Sequence, residues 1–535
     1  MANDADVVIV GAGPVGLTLA NLLGLYGLRT IILEERASLI DYPRGVGMDD
    51  ETLRTFQAIG VVDNVLPHTT PDQWLRFMDA RGRCVASIEP RTRQFGWPRR
   101  NAFIQPLVDQ VLLEGLDRFD HVEVQWNSPV NALDENATGV HVSVGDGTDR
   151  QVDTAYVVGC DGGRSFVRRH MGVTWDGTTN STRWLVVDIR DDPIGIPGAN
   201  VHGDWRRPYV SIALPHGMRR FEFMMLAGED ETTMGEQSQV DRIIRSVVPD
   251  IGPIDYVRHR VYTHHARVAG SFIRGRIMIG GDAAHLMPVW QGQGYNSGIR
   301  DAANLGWKLA SVMKGSADRR ILDTYDSERR GHAAAMVKLS EAAGLLVRQT
   351  SRYRAAFRDA ITRSWDFVPP LKRYVVEMRY KPMPKYTAGI VVDASSKKTS
   401  AVGTLFIQPT VMTREDGTKL LDDVLGQWFA VVAWGDDPRA HLSAVSLEAW
   451  ERLGARFVIV RPQTQLHWGK PDDDRTVVIA DPSGDLKAWF DQQQSSVAIL
   501  RPDRFVAAAG RPIDLNDVTG RLVDLLGAGA DGPGV

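Results

Sequence analysis

The residues best placed to do chemistry stand in short glycine and acid clusters. Gly11-Ala12-Gly13-Pro14-Val15-Gly16 lies between the apolar run Asp6-Val7-Val8-Ile9-Val10 and a helix-like stretch, and Glu34 ends the next apolar run, Thr30-Ile31-Ile32-Leu33. This spacing suits a dinucleotide. Gly11 permits a tight turn, Gly13 lets a pyrophosphate approach the backbone, and Gly16 lets helix and strand pack closely. The helix start attracts the diphosphate, and Glu34 can accept hydrogen bonds from a ribose. Val157–Gly163 reads as another strand ending in an acid-glycine turn at Asp161-Gly162. Ile277–Asp282 ends in Gly281-Asp282, and Gly292-Gln293-Gly294-Tyr295-Asn296-Ser297-Gly298 opens a helix. Taken singly, each turn is also what a structural cap looks like, so a capping role for Asp161 stays open.

The elements that must position these turns are legible in outline. Continuous β-branched runs without alternation mark parallel strands buried on both faces. Asp6–Val10 and Thr30–Leu33 form such a pair around a helix, a βαβ unit. Strands are also expected at 121–125, 141–144 and 155–158, with a helix at 106–119. From about 180 to 268 the texture changes to short strands without long amphipathic helices: 184–189, 208–214, 220–225 and 257–263. That predicts an antiparallel sheet inserted into the α/β unit. Long helices are expected at 298–313 and 321–348. Asp393–Ser400 reads as a polar linker, and the alternating segments beyond it suggest a small thioredoxin-like domain. The glycine-rich end, 527–535, is expected to be disordered.

The expected division is therefore 1–74, 101–180 and 268–345 for a discontinuous nucleotide domain, and 75–100 with 181–267 for the substrate sheet. A helical connection at 346–392 leads to the C-terminal domain, 393–535.

Composition narrows the partners. The 535 residues carry 62 Lys plus Arg against 66 Asp plus Glu, a net charge of −4, too balanced for a nucleic-acid or anionic-membrane surface to be the main business. Small molecules are the expected ligands. Two cysteines, Cys84 and Cys160, exclude a disulfide framework and fit a reducing, cytoplasmic setting. The acidic opening Met1–Asp6 is unlike a secretory signal, and Pro14–Leu28 is too short and glycine-broken to span a bilayer.

The ordered set of turns resembles the class A flavoprotein aromatic hydroxylases. These carry a glutathione-reductase-type Rossmann-like FAD domain, and the resemblance favours FAD over NAD. The match extends through Ile40–Arg44, Phe95–Pro106, Arg207–Ser211, Arg220–Met224, Met287–Gly298, Leu405–Pro409 and Arg501–Ala507. These segments are similar to the 3-(3-hydroxyphenyl)propanoate / 3-hydroxycinnamate hydroxylase subgroup. The cofactor set so implied is Gly11, Gly13, Pro14, Gly16, Glu34, Glu35, Arg44, Gln105, Asp161, Gly281, Asp282, Pro288, Gly292, Gly294, Tyr295 and Asn296. Within it, Asp282 would bind ribityl hydroxyls, and the amides of Gly294, Tyr295 and Asn296 would face the flavin pyrimidine edge. Arg44 would lie near the diphosphate and the flavin.

The implied reaction takes a hydride from NADH or NADPH, activates O2 on the reduced flavin and hydroxylates the ring ortho to a phenol. No second glycine-triplet domain is present, so the nicotinamide would visit transiently. Departures from the class are informative. Pro288-Val289 replaces a common pair of prolines, and Val46 stands where phenol hydroxylases place an acid. The phenol's base is therefore not readable: Asp49, Asp50 and Tyr209 are candidates, the two acids also reading as a solvated face.

A fixed cation is expected for the substrate carboxylate. Arg207, Arg219 and Arg220 are the candidates, with Trp290 and Tyr209 as aromatic walls. His285 reads as a packing and hydrogen-bonding residue, and Arg164, Arg168 and Arg169 as a solvated helix face. A flavin halogenase is disfavoured, since no Trp-x-Trp-x-Ile-Pro motif occurs. A polyketide-tailoring hydroxylase is the nearer rival. Residues 393–535 contain no cysteine, so that domain cannot exchange thiols, and its expected role is to pack on the FAD domain or help form a homodimer.

Overall fold

The computed structural model describes residues 3–145, 150–393, 399–468 and 473–527. The expected disordered end, beyond Gly527, and the middle of the expected linker, 394–398, lie outside the described residues.

The N-terminal strand Ala5–Val10 is the centre of an eight-stranded sheet. It pairs in parallel with Thr30–Leu33 on one side and Arg150–Gly159 on the other. Val7, Val8 and Ile9 are fully buried, which is why the run does not alternate. Val122–Gln125 and Ile277–Ile279 extend the parallel part, while Val140–Val144 and Val130–Glu135 add an antiparallel flap. Helix Pro14–Leu25 packs against helix Gly294–Met313 at Gly306, where an added Cβ would lie 3.2 Å from Leu22.

The second sheet also has eight strands. Its spine is the antiparallel pair Trp175–Ile189 and Tyr256–Ala269, followed by Arg219–Met224, Tyr209–Ala213 and Ala199–His202. Two corrections to the sequence reading arise here. Ala199–His202 pairs in parallel with Leu75–Met78, so the inserted sheet is not wholly antiparallel. The segment also contains an amphipathic helix, Gln237–Val247, absent from the expectation. Its apolar residues Val240, Ile243, Ile244 and Val247 follow helical spacing inside a polar stretch, and they close a core with Leu185, Val187, Phe221 and Phe223. Period-2 alternation therefore sends Phe221 and Phe223 to that core and Arg220 and Glu222 to the opposite face.

Helices Arg352–Ser364 and Pro369–Val376 lead to a seven-stranded C-terminal sheet. Its parallel centre, Ala430–Trp434, Arg456–Arg461 and Thr476–Ala480, is flanked by the hairpin Val497–Leu500 and Val506–Gly510, the thioredoxin-like arrangement. A buried ionic cluster joins it to the first domain. Glu328 accepts from both ends of the Arg501 guanidinium (2.7 and 2.8 Å) and from Lys308 (2.8 Å), while Arg501 also holds Asp503. No helix among the described residues is long and apolar enough to cross a membrane.

Candidate active site between the two sheets

A cleft of about 1130 Å³ opens at the carboxyl ends of the parallel strands and runs under the face of the second sheet. The three glycines of the first turn divide their work visibly. Gly11 has φ of +106°, and an added Cβ would sit 2.7 Å from the Cys160 carbonyl oxygen. At Gly16 a Cβ would meet the Gly11 oxygen at 2.1 Å. At Gly13 it would meet nothing within 4 Å. Two of the glycines therefore serve the fold, whereas Gly13 fronts open space at the start of helix Pro14–Leu25, a cradle suited to a bulky anion.

Val15 is where the separate motifs converge. Gly281 and Gly298 both face it, at Cβ distances of 2.7 and 2.5 Å, so the turn before Asp282 and the start of helix Gly294–Met313 are drawn against the first helix. The first amides of that 20-residue helix, at Gly294, Tyr295 and Asn296, have no intrahelical acceptor and point positive charge toward the cleft. Pro288 precedes the short turn Val289–Gln291, and Gly292, with φ of +61°, redirects the chain into the helix.

Glu34 is held in place: its carboxylate accepts from the amides of Ala12 (2.8 Å) and Arg36 (3.0 Å), leaving lone pairs toward the cleft. Glu35 and Arg36 line the same end. Gln105 accepts from the amides of Gly45 (2.7 Å) and Arg44 (3.2 Å) and donates to Asp109 (3.0 Å). It thereby fixes the loop carrying Arg44, whose guanidinium reaches Asp282 at 3.4 Å across the cleft. Burial pushes the Asp109 carboxyl up to about 7. Asp161 lines the cleft while one of its oxygens accepts from the Val167 amide (3.1 Å), so it does take a capping role as well.

The substrate-end candidates separate clearly. Arg220 and Trp290 line the cleft. Arg220 is buried, paired with Asp188 (2.7 Å), and donates to the carbonyls of Pro43 (2.6 Å) and Arg44 (3.1 Å), so it ties the sheet to the Arg44 loop. Trp290 packs edge-on against Trp184 and His264. Arg207, Tyr209 and Arg219 are not among the cleft-lining residues, which corrects their reading as substrate contacts. Arg207 holds Glu229 and the Met224 carbonyl, and Tyr209 stacks on His202 and Phe223. Arg219 is buried with Asp192 and Ser211.

His285 Nε2 donates to the buried Asp301 carboxylate (2.7 Å), which Arg329 also holds, so it is a packing and hydrogen-bonding residue as expected. Arg168 departs from the expected solvated face. It is buried, stacked on Trp175, and donates to the carbonyls of Gly163 and Ala283. Arg164 and Arg169 are exposed at the cleft edge.

The acids Asp49 and Asp50 are buried, not solvated. Asp49 caps helix Asp50–Ala58 through the Thr52 amide (3.0 Å) and pairs with Arg300 and with Lys381 (2.8 Å). Glu51 pairs with the same two bases, 2.8 and 3.0 Å away. Despite burial, Arg300 and Lys381 hold both carboxyls below their ordinary range. Among the described residues no base lies within ion-pair distance of Asp50, and burial pushes it up to about 7 against the more distant charges of Lys381 and Arg99. Asn296 staples this floor together, accepting from the Asp49 amide (3.0 Å) and Thr52 hydroxyl (2.7 Å) and donating to the carbonyls of Gly47 and Gly292.

Sequence reasoning missed Arg300 and Lys381, far apart in the chain and unmarked by any motif. It also missed Glu222, Arg258 and His264, which alternation on the sheet strands had placed on one face.

Residues 4–340 match the FAD binding domain family, and residues 403–525 match the HcaD C-terminal domain family. A 3-(3-hydroxy-phenyl)propionate/3-hydroxycinnamic acid hydroxylase of Mycobacterium avium (strain 104) is 56% identical, covering 98% of this chain and 92% of the relative. The Paraburkholderia xenovorans (strain LB400) protein of the same name is 49% identical over 97% and 90%. Among solved structures, the flavin-dependent monooxygenase PieE in complex with FAD and substrate superposes with a TM-score of 0.81, at 20% identity and covering 98% of this chain and 100% of that one. The anhydrotetracycline hydroxylase OxyS from Streptomyces rimosus gives 0.74 at 25% identity, over 96% and 98%. The family match, the relatives and the fold thus define a flavin-dependent monooxygenase with FAD as its cofactor. Within that class, the chain belongs to the family of FAD-dependent hydroxylases formed by its mycobacterial and Paraburkholderia relatives.

Proposed function

We propose that this chain uses NADH or NADPH and O2 to hydroxylate 3-(3-hydroxyphenyl)propanoate, and 3-hydroxycinnamate, beside the phenol, giving the 2,3-dihydroxyphenyl product of an aromatic catabolic route. The observation that carries the reading is the likeness, at 56% identity across 98% of the chain, to a relative of that name. The cleft supports it. Gly13 and the start of helix Pro14–Leu25 receive the diphosphate, and Glu34 accepts from a ribose. Arg44, Asp161 and Asp282 surround the middle of the cofactor. Bound FAD supplies the hydride acceptance and oxygen activation.

The chain's own residues do the positioning. The amides at 294–296 stabilise negative charge on the flavin edge, in the manner of an oxyanion hole. The sheet face bearing Val210, Ile212 and Arg220 and the wall at Trp290 hold the aromatic ring and exclude water from it. Arg220, pinned to the Arg44 loop, couples a filled substrate site to the cofactor.

The test is NAD(P)H oxidation by the FAD-loaded enzyme. Stimulation by 3-(3-hydroxyphenyl)propanoate with matching catechol formation is expected, and stimulation only by bulky polycyclic phenols overturns the substrate assignment. Two unpaired cysteines, one exposed, support a cytoplasmic setting. A homodimer also belongs to the proposal: Tyr353, Phe357 and Ile361 form an exposed stripe on one helix, with Phe367 beside it. Light scattering at the monomer mass of 59.2 kDa would remove it.

A further inference from the structure

The proposed substrate carries a carboxylate, and neither Arg207 nor Arg219 can meet it. The remaining cations that line or underlie the cleft differ in one respect, whether an acid of the chain already sits within ion-pair distance. Arg220 and Arg258 share Asp188, at 2.7 and 3.8 Å, with Glu222 3.8 Å from Arg220. Arg300 and Lys381 share Asp49 and Glu51. Two bases face two acids in each group.

Arg99 has no ion-paired counterpart among the described residues; the acid that feels its charge is the buried Asp50, more than 4.0 Å away, whose carboxyl burial pushes up to about 7. Arg99 is 8% exposed, and among the described residues no carboxylate lies within ion-pair distance, 4.0 Å. Its hydrogen-bond acceptor there is the Met383 thioether, 3.1 Å from Nη2, a weak acceptor, and its Nε has none. A guanidinium kept in this state is costly unless something arrives to pair with it.

The surroundings state what would arrive. Arg99 lines the cleft beside Arg100, which is tied to the Gln73 carbonyl (3.2 Å) and has no acid either among the described residues. The segment carrying them is fixed, because Asn101 donates to the carbonyls of Pro98 (2.8 Å) and Met48 (3.2 Å). Tyr380 lies in the field of both guanidinium groups and packs with Leu75, Ile88, Val210 and Trp290 in one apolar cluster. A planar cation at the edge of an apolar wall suits an aromatic ligand that bears a carboxylate on a short side chain.

We propose that Arg99, assisted by Arg100, is the carboxylate anchor of the substrate site, the group that distinguishes a phenol with an acidic side chain from a neutral one. This rests on the substrate reading above. It makes Arg99 a specificity residue: it touches the carboxylate and leaves the reacting carbon to the sheet face and the cofactor.

The test uses FAD-loaded enzyme with two substrates, 3-(3-hydroxyphenyl)propanoate and the neutral 3-propylphenol. Arg99→Met should lower kcat/KM for the acid by about 100-fold, the scale of removing one partner from a buried charge pair, mostly through KM. With 3-propylphenol it should change by less than about 2-fold, as for a position outside the new contacts. Arg99→Lys, which keeps the charge without the planar fork, should recover part of the loss and decides the matter if the Met variant does not fold. Equal losses on both substrates, or no loss on the acid, overturn the anchor while leaving the substrate reading intact. If the unmodified enzyme does not turn over the acid at all, the substrate reading itself fails and the anchor with it.

Discussion

Arg501 and Arg99 are both buried guanidinium groups, and they differ in almost everything else. Arg501 is enclosed by Glu328 and Asp503 and stacks between Trp307 and Tyr386, so each of its guanidinium nitrogens meets an acid. Arg99 meets a thioether. The first welds the C-terminal domain to the FAD domain; the second leaves an electrostatic demand facing the cleft. A completed buried ionic cluster stabilises an interface, whereas an incomplete one in a cleft selects what enters it.

The largest effect expected from this contrast falls on stability. Arg501→Met strands the Glu328 and Asp503 carboxylates in the interdomain core and should cost about 3–5 kcal/mol, seen as a lower Tm or loss of soluble protein. Arg99→Met removes an unbalanced cation and should leave Tm unchanged or raised. A matching loss at both positions would erase the distinction.

Acid should find the same weld. Although burial favours its neutral form, Arg501 and Lys308 hold the Glu328 carboxyl down to about 2. A depressed carboxyl stabilises the fold above its unfolded pKa, near 4.5, and loses that contribution as pH falls toward 2. The contribution is about 3 kcal/mol by linkage. Asp301, held at about 2 by His285 and Arg329 against its burial, acts in the same direction. Denaturation midpoints recorded from pH 6 down to pH 2.5 should therefore fall, and Glu328→Gln should flatten that slope.

The glycine turn extends the contrast to the cofactor end. Gly16→Ala forces a Cβ into the Gly11 carbonyl and should cost about 1–3 kcal/mol through overpacking. Gly13→Ala meets open space and should change stability by less than about 0.5 kcal/mol. It should instead weaken FAD retention, measured as the flavin-to-protein absorbance ratio after gel filtration. Equal effects at the two positions would break the division of labour.

Much of this was legible in the chain. The parallel strands at 6–10 and 30–33 announced themselves because a strand buried on both faces has no polar alternation to blur it. The turns at Gly11–Gly16, Asp161-Gly162 and Gly281-Asp282 were legible because their jobs are local, a matter of backbone angle and close approach. The helix Gln237–Val247 was not, since four apolar residues in a polar stretch mark a face only once a sheet is there to receive it.

The sequence by itself determined the nucleotide fold, the family resemblance and the absence of thiol chemistry in the C-terminal domain, because these follow from residue type and spacing along the chain. Only the tertiary structure decided which arginines matter. Arg207, Arg219 and Arg220 sit within one short stretch, yet strand alternation and distant partners send only Arg220 to the cleft. Whether a cation is balanced depends on acids brought from elsewhere: Asp49 and Glu51 meet Lys381 across more than 300 residues, and among the described residues no acid is brought within 4.0 Å of Arg99. Charge pairing is a property of three-dimensional neighbours, which residue spacing does not encode.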